Sequence, residues 1–287
     1  MTFFEQQKLQ FQQANIAVKL IYINVILFIL TLLIESFINL NESHFSILDW
    51  FVLKNDTSWV YKPWTLISYA FFHSPKDLFH LLSNMIFLYF FGTFFLYYFS
   101  KKMFLRVYFL GALFGGLFFI LLTNLFPVFN YSTYSLIGAS ASIYAIIAVI
   151  IVYDPNKEIR LFGLISLKLW QLAGFILIMD LLQIAGGKNI GGHLSHFGGA
   201  LAGYLYLKQF NKGDPLGQFI ESVSNLLKRK KTFKTTKNST PPRDDYDFNA
   251  EKKENQEKID GILDKISKSG YESLTKEEKA FLFKQGK

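Results

Sequence analysis

Runs of about twenty apolar residues, each long enough to cross a bilayer as a helix, constrain this chain more than any other feature. Leu20–Ile34, Leu78–Phe99, Val107–Phe126 and Leu136–Tyr153 carry no formal charge. Leu169–Ile184 is interrupted by Asp180, and Gly191–Gln209 carries His193 and His196. In hydrocarbon a backbone must satisfy its own polar groups, so each block is expected to be a helix. None alternates with the period of two that marks a barrel strand. The expected fold class is an all-α polytopic membrane protein with six transmembrane helices. Composition agrees, since only 18% of the 287 residues are charged and 51% are hydrophobic, where soluble domains carry about 25% charge. A polar, glutamine-rich lead precedes the first block and no small-residue cleavage site follows it. The first block therefore reads as a retained helix, not a signal peptide.

The net charge is +8, and its placement says more than its size. Lys8, Lys19, Lys101, Lys102, Arg106, Lys157 and Arg160 flank one side of the six blocks. The run Lys228, Arg229, Lys230, Lys231, Lys234 and Lys237 follows the last block on that same side. The opposite side holds Lys54, Lys62, Lys76 and Lys188. Basic residues favour the cytoplasmic face, so both termini are expected there. The basic run reads as topology and lipid-surface charge, with the bilayer as partner and no nucleic acid expected. With no cysteine in the chain, a disulfide, a zinc–thiolate site and a cysteine nucleophile are all excluded.

The organisation follows. Residues 1–15 form a cytoplasmic lead and residues 16–210 a six-helix membrane domain. The external loop 41–77 carries Trp50, Trp59 and Trp64, residues suited to a membrane interface. Short cytoplasmic loops are expected at Ser100–Lys102 and Asp154–Glu158. Residues 211–249, with Thr240-Pro241-Pro242 and Asp244-Asp245, read as a flexible basic linker. Residues 250–287 read as a small cytoplasmic helical tail. There Ile259, Ile262, Leu263 and Ile266 recur on one helix face, Gly270 is a stop, and Thr275 with Glu278 forms a capping-box pattern.

Polar side chains inside a span are costly, so each invites a functional reading. Here they are His80, Ser83, Asn84, Ser140, Ser142, Asp180, His193, Ser195 and His196. At about 1.5 Å of rise per residue, Ser140 and His196 each lie roughly 20 Å above the cytoplasmic ends of their spans. Asn84 lies about 22 Å above Phe99, with His80 one turn higher. In a hydrocarbon core about 30 Å thick, all four fall in its outer third. A serine and a histidine at one depth fit nucleophilic catalysis, the imidazole taking the hydroxyl proton before attack on a carbonyl. His80 and Asn84, four apart and so on one face, can donate to the resulting oxyanion, as can the backbone N–H of Ser140 at a helix start. His196, Gly199 and Gly203 share a face, and the two glycines allow another helix to approach closely. Tyr144 lies one turn below Ser140, where its ring can pack on the imidazole.

These residues carry a resemblance. His80-Leu-Leu-Ser-Asn84, Gly138-Ala-Ser140-Ala-Ser-Ile-Tyr144 and His196-Phe-Gly-Gly199-Ala-Leu-Ala-Gly203 resemble, in order, three motifs of the rhomboid intramembrane serine proteases. Pro63-Trp64-Thr65 and Phe71-Phe72-His73 look like that family's approach to its second span. The resemblance covers about residues 15–210. It implies a bacterial-type six-span bundle in an inner (plasma) membrane. It also implies a Ser140–His196 dyad without an aspartate, and oxyanion donors from His80, Asn84 and the Ser140 N–H. Tyr144 would stack on His196, with Gly138, Gly199 and Gly203 in support. The implied reaction is endoproteolysis of single-pass or polytopic membrane-protein substrates near their extracytoplasmic end, with no cofactor. Ala141 departs from the family, where many members have glycine after the serine. Residues 95–99 lack an acidic residue often found there.

Other readings compete. A catalytically silent relative would bind membrane clients through the same fold, and would be marked by loss of Ser140 or His196. A transporter would need charges along a path and paired broken helices, for which only Asp180 qualifies. Asp180 is otherwise expected near the outer end of its span, hydrogen-bonded or wet. His193 rivals His196 as base but lacks glycines at the matching offsets. No metal is expected, because neither cysteine nor carboxylate stands at ligand spacing from the histidines along the chain. Gly111 and Gly115 read as ordinary helix packing.

Overall fold

Each of the six apolar blocks is helical in the computed structural model, which describes residues 2–40, 45–129, 133–161, 165–187, 189–210, 218 and 245–285. A short polar helix, α1 (Phe3–Gln13), is opened by a capping box between Thr2 and Glu5. The blocks follow as α2 (Ile16–Leu40), α3 (Leu78–Tyr98), α4 (Lys101–Leu125), α5 (Ser140–Tyr153), α6 (Leu169–Ala185) and α7 (Ile190–Phe210). Among the described residues, α2, α3 and α4 are long and apolar enough to cross a membrane. The α5 and α6 helices have 14 and 17 residues, short of the twenty or so that span hydrocarbon upright, and α7 carries two histidines. Large apolar side chains stand exposed along the outer faces, among them Leu33, Phe79, Leu121 and Phe175. Such continuous apolar surface needs an apolar solvent, and the chain is a mostly helical membrane protein.

The chain divides into two units, residues 1–96 with 101–232 and residues 97–100 with 233–287. In the first, α4, α5 and α7 form the most closely packed trio. Small residues make this possible. A Cβ added at Gly199 would strike the Ala141 carbonyl oxygen, and one at Gly203 the Ala145 carbonyl oxygen. On the other flank of α5, a Cβ at Gly111 would come within 2.8 Å of the Ser142 Cα. The serine-bearing helix is thus clamped by backbone contact from both neighbours, the role read for these glycines from their spacing.

The segment between α2 and α3 is built rather than loose. Trp50 and Trp64 stack with ring centroids 6.4 Å apart, and the Trp64 Nε1–H donates to the Trp50 carbonyl at 2.7 Å. Strand β1 (Leu53–Lys54) pairs antiparallel with β2 (Ser135–Leu136), matching the buried Leu53 to the buried Leu136. Two buried tyrosines anchor this segment to α4. The Tyr69 hydroxyl donates to the Ala112 carbonyl at 2.8 Å and that of Tyr108 to the Ala70 carbonyl at 3.0 Å. The fourth apolar block therefore begins as strand at Leu136, and its helix starts at Ser140. A second hairpin, β3 (Glu158–Leu161) with β4 (Ile165–Lys168), joins α5 to α6. Only a short loop is expected there from hydropathy, because the alternation Glu-Ile-Arg-Leu is too brief to stand out.

In the second unit, α8 (Asp245–Ser269) and α9 (Lys276–Gln285) form the tail helices. The stop at Gly270, with φ of 75°, and the reciprocal Thr275–Glu278 capping bonds match the sequence pattern. The α8 helix begins at Asp245, five residues before the expected start of the tail at residue 250 and so inside the expected linker. On its periodic face Ile262 is buried but Leu263 is exposed. Most of the linker 211–249, including Lys228 to Lys237 and Thr240-Pro241-Pro242, lies outside the described residues, as does Lys188.

Candidate active site

Ser140 is the first residue of α5, and the residue before it, Ala139, offers no side chain to cap the helix. The N–H groups of a first turn have no partner within their own helix. With no capping oxygen from Ala139, this start presents donors and the positive end of the helix dipole to any developing anion. Gly138 is held by a bond from its N–H to the Tyr69 carbonyl at 2.9 Å, so the segment between α2 and α3 fixes the turn into α5. Its φ of +116° is open to glycine and strained for other residues. A Cβ there would come within 2.7 Å of His80 Cε1 and 3.8 Å of Asn84 Nδ2. Gly138 is thus where the turn before Ser140 meets both expected oxyanion donors.

His80 and Asn84 lie one turn apart on α3. Asp77 starts the helix by accepting from the His80 N–H at 2.9 Å, and Asn84 Nδ2 donates to the His80 carbonyl at 2.8 Å. That bond uses one of two amide protons, leaving the second for another acceptor. His73, buried and outside the spans, meets His80 edge-on with centroids 5.4 Å apart. Burial pushes the His73 imidazole down to about 3, with the neighbouring His80 adding to the effect.

His196 is buried on α7, one turn before Gly199. Because Gly199 abuts the Ala141 backbone, His196 is brought against the first turn of α5. The ring of Tyr144 stacks on it, with centroids 4.0 Å apart and planes 21° from parallel. The fold therefore gathers Gly138, His80 and Asn84 on one side of the α5 start, and Tyr144, His196 and Gly199 on the other. Ala141, where the sequence departs from the family motif, is fully buried in the contact with Gly115 and Gly199.

One neighbour is not legible in the sequence. Asp180 of α6, 3% exposed, accepts at a single oxygen, Oδ1, from His193 Nδ1 at 2.6 Å and from His196 Nδ1 at 3.0 Å. It is hydrogen-bonded, as expected of a carboxylate in a span, but its partners are the expected base and that base's expected rival. Their spacing of 13 and 16 residues hides this, since a helix reversal intervenes. The same contacts correct the expectation that no carboxylate stands with the histidines. A carboxylate does accompany two of the histidines, and the ligand atoms of Asp180, His193 and His196 all lie within 4.8 Å of one another.

Comparison with known proteins covers the same part of the chain. The Rhomboid domain family model matches residues 61–211, and a family of unknown function (DUF6576) matches residues 244–284. The chain is 33% identical over 160 residues to the RHOMBOID-like protein 12, mitochondrial, of Arabidopsis thaliana, an alignment covering 52% of this chain and 47% of that protein. The chain thus spans about half the length of that curated relative.

Proposed function

The chain belongs to the rhomboid family, and from that premise we propose that it is an intramembrane serine endopeptidase working through a Ser140–His196 dyad. The observation that carries this reading is the close crossing of α5 and α7. Gly199 on the Ala141 backbone and the Tyr144–His196 stack bring a buried imidazole to the turn that Ser140 opens. In the proposed reaction His196 takes the Ser140 hydroxyl proton and the oxygen attacks the scissile carbonyl. The oxyanion accepts from the Ser140 N–H, the second amide proton of Asn84 and a ring N–H of His80. His196 then protonates the leaving amine, and a water activated by the same base releases the acyl enzyme.

The six helices are taken as six spans with both termini cytoplasmic, following the lysine and arginine bias. The site then lies in the outer third of a bacterial-type plasma membrane. Its substrates are transmembrane helices that unwind near their extracytoplasmic ends. A fluorophosphonate probe tests the dyad. It is expected to label Ser140 in the purified chain, and replacement of His196 by Ala should slow labelling by about 10²-fold or more, the usual weight of a general base. Labelling at full rate without His196 removes the base role. A chain that takes no label fits the silent client-binding relative instead.

A further inference from the structure

We propose that Asp180 is a positioning residue that fixes the tautomer and orientation of His196, making the dyad a Ser140–His196–Asp180 relay of hydrogen bonds; this rests on the protease reading above. An ionised carboxylate can only accept. Its contact with His196 Nδ1 at 3.0 Å therefore requires the proton on that nitrogen, which in the neutral imidazole leaves Nε2 unprotonated, the form a general base needs. Tyr144 closes one ring face at 4.0 Å. The imidazole is thus held by a stack across its plane and a hydrogen bond within it, and such support sets which nitrogen reacts.

The position of Asp180 in α6 supports a specific purpose. That helix has the fewest buried residues of the six, Leu169, Leu172 and Asp180. Trp170, Phe175, Ile178, Met179, Leu181 and Leu182 are all exposed. A carboxylate in an apolar helix is expensive, and a hydrophobic residue would serve packing as well. Its Oδ1 bonds to the imidazoles on α7 offset part of that cost. His193 shares Oδ1 at 2.6 Å, and both imidazoles are largely shielded from solvent. The hydrogen-bonded network also describes the cluster better than a metal centre. The oxygen–nitrogen separations of 2.6 and 3.0 Å are shorter than the roughly 3.3 Å edge of a tetrahedron with zinc–ligand bonds near 2.0 Å.

The test uses the full chain in lipid nanodiscs with 15N-labelled histidine, whose five side chains can be assigned one by one by substitution. Wild type is expected to show His196 as the Nδ1–H tautomer. Asp180→Asn, which can donate to Nδ1, is expected to shift it toward the Nε2–H form. The same variant should lower kcat on a transmembrane reporter by about 10²-fold or more, with KM within about 2-fold. Asp180→Glu should recover the Nδ1–H tautomer. Retention of both tautomer and kcat in Asp180→Asn overturns the proposal. So does a loss of activity that only follows a fall in melting temperature. The tautomer needs no turnover, so a wild-type chain with the Nδ1–H form that cleaves nothing refutes the protease reading while supporting the Asp180 assignment.

Discussion

Single residues here do work that their types alone do not announce. His73 is fully buried with its imidazole pushed from 6.5 down to about 3 by desolvation. Its folded form stays neutral where the unfolded chain would bind a proton, so stability is complete above pH 6.5 and is lost as pH falls toward 3. Unfolding followed against pH should show His73→Gln less acid-sensitive than wild type, by up to about 1.4 kcal/mol per pH unit inside that window. Equal acid sensitivity in the two would contradict this account of His73. Ser140, His196, His80, Asn84 and Tyr144 were legible as candidates because ionisable and polar residues are rare in spans. Asp180 was legible as costly but not as the partner of His196. Sequence spacing fixes which face of one helix a residue takes, and it is silent on which neighbouring helix supplies the contact.

At the scale of elements, the helices were legible from hydropathy and their ends were not. The fourth block enters as strand because Leu136 pairs with Leu53 of the segment between α2 and α3, a contact between residues far apart in the chain. The β3–β4 hairpin and the ordered tryptophan-rich segment were hidden for the same reason. Helix crossings were legible through glycine spacing, and the prediction at this scale concerns them. Gly199→Val would press its side chain into the Ala141 carbonyl. Overpacking of this kind costs about 1–3 kcal/mol, occasionally more, so the variant should unfold at distinctly lower temperature or denaturant concentration in micelles. Val at Gly174, where an added Cβ meets nothing within 4 Å, should leave thermal stability nearly unchanged. Equal effects at the two sites would show that close approach is not what selects glycine at 199.

For the whole molecule, the family model covers residues 61–211, and every residue assigned to the proposed chemistry falls within it. The tail matches a separate family over residues 244–284 and contributes none of them. An apolar exterior, a core of closely crossing helices and polar side chains gathered at the α5 start are the features expected of an enzyme that admits water to a site within lipid. The central claim is that this arrangement cleaves peptide bonds in membrane helices. It is tested most directly by reconstituting the purified chain and its Ser140→Ala variant into liposomes with a transmembrane reporter and identifying the products by mass. The account predicts a cut near the reporter's extracytoplasmic end by the wild-type chain and none by the variant. Cleavage that persists in Ser140→Ala, or its absence in both, would contradict it.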